Sequence, residues 1–238
     1  MSKLTRWMDR AFYPSFQDKW DNQIFREIVL PHLDRSSTVL LDAGAGRGYL
    51  EHMNFRDQVR RAIGVDPSPE VKGNPFLHES YIGMCDDMPF LDSESVDIAV
   101  SNNVLEHVET PRDFLAEVHR VLKPGGLLVV KTPNFWHYMA LMATVTPTWF
   151  HTKYNRWRGR PTADTFPTQY RINTRHDLYR LASQAGFCVE EFKLVEGRPE
   201  YLRIAAPLYA MGIVYERMVN CLRIDRIKIV YFATLRKL

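Results

Sequence analysis

The segment Val39-Leu40-Leu41-Asp42-Ala43-Gly44-Ala45-Gly46-Arg47-Gly48-Tyr49-Leu50 restricts this chain more than any other part of it. Apolar residues run into an acid and then into glycines at every second position, the order of a buried strand, a tight turn and the start of a helix. Glycine permits such a turn and lets a ligand lie against bare backbone, since a side chain there would occupy the ligand's volume. In the hydride-transfer fingerprint the third glycine falls three residues after the second. Here Tyr49 holds that place, which disfavours NAD and FAD.

Around this turn, short apolar runs alternate with helical patterns. The runs at 38–41, 62–65, 96–100 and 127–130, with a weaker one at 81–84, predict strands of a parallel sheet covered on both faces. Phe114, Leu115, Val118, Val121 and Leu122 recur at helical spacing before Lys123-Pro124-Gly125-Gly126 stops the helix. Phe16, Trp20, Ile24, Phe25, Ile28 and Val29 predict an amphipathic helix ending near Pro31 and covering one side of a cofactor site. A helix over 174–185, a strand over 187–194, another helix and a last strand over 227–235 close the chain. With 238 residues, the reading is one α/β domain: a helical cover over 1–35, a cofactor-binding core over 36–131, an inserted cap over 132–173, and C-terminal helices and strands over 174–238.

The formal net charge of +3 is too small to require nucleic acid or an anionic membrane as partner. Cys85, Cys188 and Cys221 are widely spaced and odd in number, which fits a reducing compartment rather than a disulfide framework. Residues 1–12 mix Lys3, Arg6, Asp9 and Arg10 among apolar residues and lack the continuous apolar stretch of a signal peptide, so the expected location is the cytoplasm.

Asp42, two residues before the first glycine, would repel a pyrophosphate but can organise the amino acid end of S-adenosylmethionine. About 20 residues past the glycines, Gly64-Val65-Asp66 ends the second strand and puts a carboxylate where it can accept both ribose hydroxyls. With these two acids flanking the glycines, the sequence resembles the S-adenosylmethionine-dependent class I methyltransferases, especially their small-molecule and sugar methylating group. Asp86-Asp87-Met88-Pro89-Phe90, Ser95-Val96-Asp97-Ile98-Ala99-Val100 with Val104-Leu105-Glu106-His107-Val108, and Arg120-Val121-Leu122-Lys123-Pro124-Gly125-Gly126 agree with it. The resemblance implies a doubly wound, Rossmann-like, seven-stranded and mostly parallel sheet with the last strand antiparallel. It also implies a cofactor site of Asp42, Gly44, Gly46, Gly48, Asp66, Pro67, Cys85, Asp86 and Asn102. Family members usually carry Asp where this chain has Met84, so the adenine contact passes to Asp86 or to the Cys85 backbone.

For the reaction, the resemblance implies O-methylation of a sugar or other small hydroxylated acceptor, with His107 as the base because related sugar methyltransferases use a histidine in this segment. Glu106-His107 also resembles the metal-holding pair of ubiquinone-pathway and small-RNA methyltransferases. Those enzymes carry a further glutamate where this chain has Asn103, so no metal is expected. The cap mixes aromatic and basic residues, and His137, Tyr138, Tyr154, Arg156, Arg158, Tyr170 and Arg171 are its candidate acceptor contacts. The apolar face over 204–222 is expected to pack against the sheet or a second subunit, giving a homodimer. Its alternative is contact with a membrane surface. The competing functional readings are an inactive cofactor-binding subunit or scaffold, and a methyltransferase acting on a quinone, a lipid-linked glycan or RNA.

Overall fold

Five of the seven strands begin as the apolar runs described above. In a computed structural model that describes residues 2–16, 19–145 and 167–238, β1 (Val39–Ala43), β2 (Arg61–Asp66), β3 (Glu79–Ile82), β4 (Val96–Asn102), β5 (Leu122–Pro133), β6 (Phe187–Val195) and β7 (Val230–Lys237) form one sheet ordered β3-β2-β1-β4-β5-β7-β6. β1 pairs in parallel with β2 and β4, β2 with β3, and β4 with β5. β1 is buried along its length, as a central parallel strand must be. The Asp97 carboxylate accepts from the Val39 N–H at 2.8 Å and from Lys123 Nζ at 2.6 Å, fixing the start of β1 against β4 and β5.

β7 runs against both neighbours: Leu238 N–H reaches the Gly186 carbonyl that precedes β6, and Lys237 Nζ reaches the Leu122 carbonyl where β5 begins. The edge strands β3 and β6 are only partly buried, and Glu190 and Lys193 charge the β6 edge, which discourages strand addition. In β5 the register passes from Val96↔Leu122 to Ile98↔Leu127, so the Lys-Pro-Gly-Gly turn at 123–126 bulges out of the ladder. A Cβ on Gly126 would stand 2.8 Å from the Lys123 carbonyl oxygen, which explains glycine there.

Helices α1 (Lys3–Phe12), α2 (Trp20–Val29), α3 (Pro111–Val121), α4 (Tyr138–Val145), α5 (Arg175–Gln184) and α6 (Ala206–Cys221) complete the regular structure of the described residues. α3 buries Phe114, Leu115, Val118 and Val121, the stripe its spacing predicts, and Thr174 caps α5 by accepting from the Asp177 N–H. One expectation is corrected. No α-helix follows the glycine turn; two 3-10 turns, Glu51–Met53 and Arg56–Gln58, connect β1 to β2. Phe55 and Val59 are buried, yet with Leu50 and Met53 they do not repeat at helical spacing. The carbonyls of His52 and Asn54 bond Arg26 Nη1 of α2 instead of helical N–H groups.

The chain divides into two compact units. The larger contains Asp21–Thr132, Pro167–Lys193 and Phe232–Leu238 and carries nearly all of the sheet; the smaller contains Met1–Trp20, Pro133–Phe166 and Leu194–Tyr231. In the smaller unit α1, which the sequence reading left unassigned, is capped by Ser2 and packs Met8 against Tyr209 and Ile213 of α6. Of the two expected packings of the α6 apolar face, the one against the sheet is not found among the described residues: Leu208, Met211, Met218 and Leu222 lie at the surface, while Tyr209, Ile213, Glu216 and Val219 are buried.

Candidate functional site

The carboxyl ends of β1, β2 and β4 converge where the strand order reverses, the position at which open α/β sheets bind ligands. There the glycine turn is held from two sides. Asp66 accepts from the Gly46 N–H at 2.9 Å through one oxygen and from the Ser68 N–H at 2.8 Å through the other. Asn74, which the sequence reading did not single out, donates to the carbonyls of Ala45 and Gly46 at 3.0 and 3.1 Å. A Cβ on Gly48 would stand 2.1 Å from Asn74 Oδ1, and one on Gly44 would stand 2.2 Å from Val104 Cγ2. Gly46 differs: its backbone has φ +53°, and a Cβ would meet nothing within 4 Å, so this side of the turn is open for a ligand.

The chemistry of this crevice is anionic. Asp42 is buried at the end of β1, and desolvation followed by the Asp66 charge pushes its carboxyl up to about 7. Cys85 is buried near both acids, its thiol directed at the Val65 carbonyl, and desolvation pushes it up to about 12. Asn102 donates to Asn22 Oδ1 at 3.0 Å, while its own buried Oδ1 has no hydrogen-bond partner. Bare turn backbone, a carboxyl short of a counter-charge, a ribose-reaching acid and an unsatisfied amide oxygen fit a cationic nucleoside such as S-adenosylmethionine. Of the remaining expected contacts, Pro67 is exposed beside Asp66, and Asp86 accepts from Thr110 Oγ1 at 2.7 Å. Met84 is exposed.

A cationic ligand binds the ionised form of Asp42, whose raised pKa leaves it largely protonated below about pH 7. Affinity for S-adenosylmethionine is therefore expected to rise by up to about tenfold per pH unit as pH climbs toward 7, and then to level off. Titrations between pH 5.5 and 8 measure this. Asp42→Asn should bind more weakly at pH 8 and lose the slope, whereas a slope retained in that variant would assign it to another group.

A second cluster follows β4. His107 Nδ1 lies 3.0 Å from the Pro167 carbonyl oxygen, which can only accept, so the proton of the neutral ring sits on Nδ1 and Nε2 keeps its lone pair. Glu106 Oε1 is 4.0 Å from Nε2. Burial raises the Glu106 carboxyl, and Thr132 donates to its other oxygen at 2.8 Å while accepting from Asn173 Nδ2 at 2.7 Å. The strand end is tied to α2 as well: the fully buried Lys131 ammonium pairs with Asp21 and donates to Asn22 Oδ1 at 2.8 Å. The sequence reading missed these partners because they lie far apart in the chain.

The C-terminal end of the cap folds onto this cluster. The N–H groups of Gln169 and Tyr170 bond the Glu106 carbonyl, and Arg171 donates to the Glu109 carbonyl at 2.6 Å, so Tyr170 and Arg171 are gathered beside His107. His137 and Tyr138 lie in the smaller unit. His137 is a buried side chain 3.6 Å from Glu196, and burial pushes the imidazole down to about 3 and the carboxyl up to about 8. Tyr138 stacks edge-on against Tyr215 with ring centroids 5.1 Å apart. Tyr154, Arg156 and Arg158 lie outside the described residues.

Comparison with known proteins agrees with this geometry. A family described as a methyltransferase domain matches residues 17–191. An uncharacterised methyltransferase of Mycobacterium tuberculosis is 35% identical over 166 residues, covering 64% of this chain and 64% of the relative, a little under two thirds of its length. Among solved structures, a chain of the complex between a Haloferax volcanii methyltransferase activator and its methyltransferase is similar with a TM-score of 0.59 at 19% identity, over 99% of this chain and 95% of that one. Geranyl diphosphate C-methyltransferase from Streptomyces coelicolor, solved with S-adenosyl-L-homocysteine, is similar with a TM-score of 0.57 at 20% identity, over 90% and 78%. At such identities the structural likenesses bear on the fold alone.

Proposed function

The chain belongs to the class I S-adenosylmethionine-dependent methyltransferase family, and from that premise we propose that it methylates a hydroxyl of a sugar or another small hydroxylated acceptor. The backbone of Gly44, Gly46 and Gly48 would carry the cofactor, with Asp42 toward its amino acid end, Asp66 toward the ribose and Cys85 with Asp86 toward the adenine. Asn102 and Pro67 flank it. When bound, the cofactor supplies a methyl group made electrophilic by the sulfonium. The protein's own task is to align an acceptor oxygen, exclude water and take up the hydroxyl proton.

The observation that carries an oxygen acceptor is the tautomer of His107. With Nδ1–H committed to the Pro167 carbonyl, Nε2 is the nitrogen that would take the hydroxyl proton, and Glu106 Oε1 stands 4.0 Å from it. Tyr170 and Arg171 are the acceptor contacts drawn to this base, and the cap residues Tyr154, Arg156 and Arg158 complete the proposed acceptor set. The three free cysteines accord with a role in the cytoplasm.

The test is a panel of hydroxylated acceptors, including free and nucleotide-linked sugars, incubated with methyl-labelled cofactor and analysed by mass spectrometry. The expected product carries the label on oxygen, and the matching deoxy analogue stays unlabelled. Label on carbon or nitrogen would overturn the oxygen assignment.

A further inference from the structure

The smaller unit presents a helix that is apolar on more than one side. An ordinary surface helix hides its apolar stripe and shows its polar face. α6 buries Ile213 and Val219, yet Met211 and Val214 are each 67% exposed and Leu222 is 63% exposed, while Glu216 and Tyr209 are buried. The buried polar groups are satisfied by α1. Tyr209 donates to Asp9 at 2.7 Å, Tyr13 donates to Glu216 at 2.9 Å, and Arg217 of α6 donates to the Phe12 carbonyl at 2.8 Å. Polar contacts thus join the two helices beside the Met8–Ile213 packing, and a further set of apolar side chains lies outside them. Its neighbour α1 adds Leu4, 54% exposed, and Trp7, 58% exposed, on consecutive turns. A contiguous apolar surface of this kind marks an interaction site.

The charges beside the surface indicate its occupant. Lys3 and Arg10 fall on one flank of α1, next to the Leu4–Trp7 stripe, and Arg223 closes the end of α6; all three are exposed. Every acid among the described residues of this unit is buried or ion-paired: Asp9 and Glu200 with Arg198 and Arg203, Glu216 with Arg217, Asp225 with Lys228, and Glu196 in the interior. Among the described residues the rim therefore offers positive charge and no spare negative charge. A second copy of this face would bring the same described basic rim, because a two-fold interface uses one patch twice.

We propose that the outer faces of α1 and α6 dock the protein on an anionic membrane surface, with Trp7, Met211 and Val214 entering the headgroup boundary and the basic rim meeting acidic lipids. This is the amphipathic arrangement of helices that lie in a bilayer interface. No helix among the described residues is long and apolar enough to span one. The mode is contact from one side.

Co-sedimentation of the full chain with vesicles of phosphatidylcholine alone, or with about a third phosphatidylglycerol, tests it. The expected result is binding to the acidic vesicles alone, weakened by salt as exposed charges are screened. The double variants Met211→Glu with Val214→Glu, and Lys3→Glu with Arg10→Glu, should each reduce binding by at least about tenfold, since each burial or charge contribution is lost entirely. All of these side chains are exposed, so thermal melting should not change, and this control separates lost docking from lost folding. No binding of the parent protein to acidic vesicles, equal binding to neutral ones, or variants that bind like the parent would each overturn the proposal. So would a dimer, seen by light scattering, that the Met211→Glu, Val214→Glu variant dissociates, because the face would then be covered by a second copy.

Discussion

His107→Ala is expected to lower kcat by about 10²–10⁴-fold, the range for removal of a positioned general base, while affinity for S-adenosylmethionine stays unchanged. The separation follows from the geometry. His107 is anchored through Pro167 and lies 4.0 Å from Glu106, whereas the groups proposed to hold the cofactor sit on the glycine turn and the ends of β1 and β2. His107→Gln keeps a donor for the Pro167 carbonyl but has no basic nitrogen, so it should be as slow as alanine. Single-turnover rates with an accepted hydroxylated substrate measure both. A variant with full kcat would remove His107 from the chemistry and leave it as an anchor for the 167–171 segment.

The sheet was open to reading because its strands are buried on both faces. Runs such as Val39-Leu40-Leu41 and Leu127-Leu128-Val129-Val130 carry the signal in composition alone, and the stop at Gly125-Gly126 carries it in backbone freedom. Asp42 and Asp66 occupy the strand ends expected of them, positions that the parallel register fixes. Elements whose form depends on distant partners escaped. The connection after the glycine turn becomes two 3-10 turns because Arg26, some thirty residues earlier, takes its carbonyls. Asn74 grips the turn from a loop with no pattern of its own, and Pro167 sets the His107 tautomer from across the cap. α6 misled for a simpler reason: periodicity shows that a helix has an apolar face, but not whether the protein hides it.

The central claim is that the crevice at the ends of β1, β2 and β4 holds S-adenosylmethionine, and Asp66 is its sharpest probe. Its carboxylate already accepts from the Gly46 and Ser68 N–H groups, and each oxygen retains a lone pair for a ribose hydroxyl. Two charge-assisted hydrogen bonds contribute at least about 3 kcal/mol together, or about 100-fold in Kd. Asp66→Ala removes them and also loosens the turn, whereas Asp66→Asn leaves an oxygen for the Gly46 N–H and should lose less. The deciding measurement is calorimetric titration of the parent protein and both variants with S-adenosylmethionine, S-adenosylhomocysteine and NAD. The predicted result is binding of the first two ligands to the parent, none of NAD, and a loss of about 100-fold in Asp66→Ala with an intermediate loss in Asp66→Asn. Binding of NAD in preference to both, or a parent Kd for S-adenosylmethionine that Asp66→Ala leaves unchanged, would contradict the site.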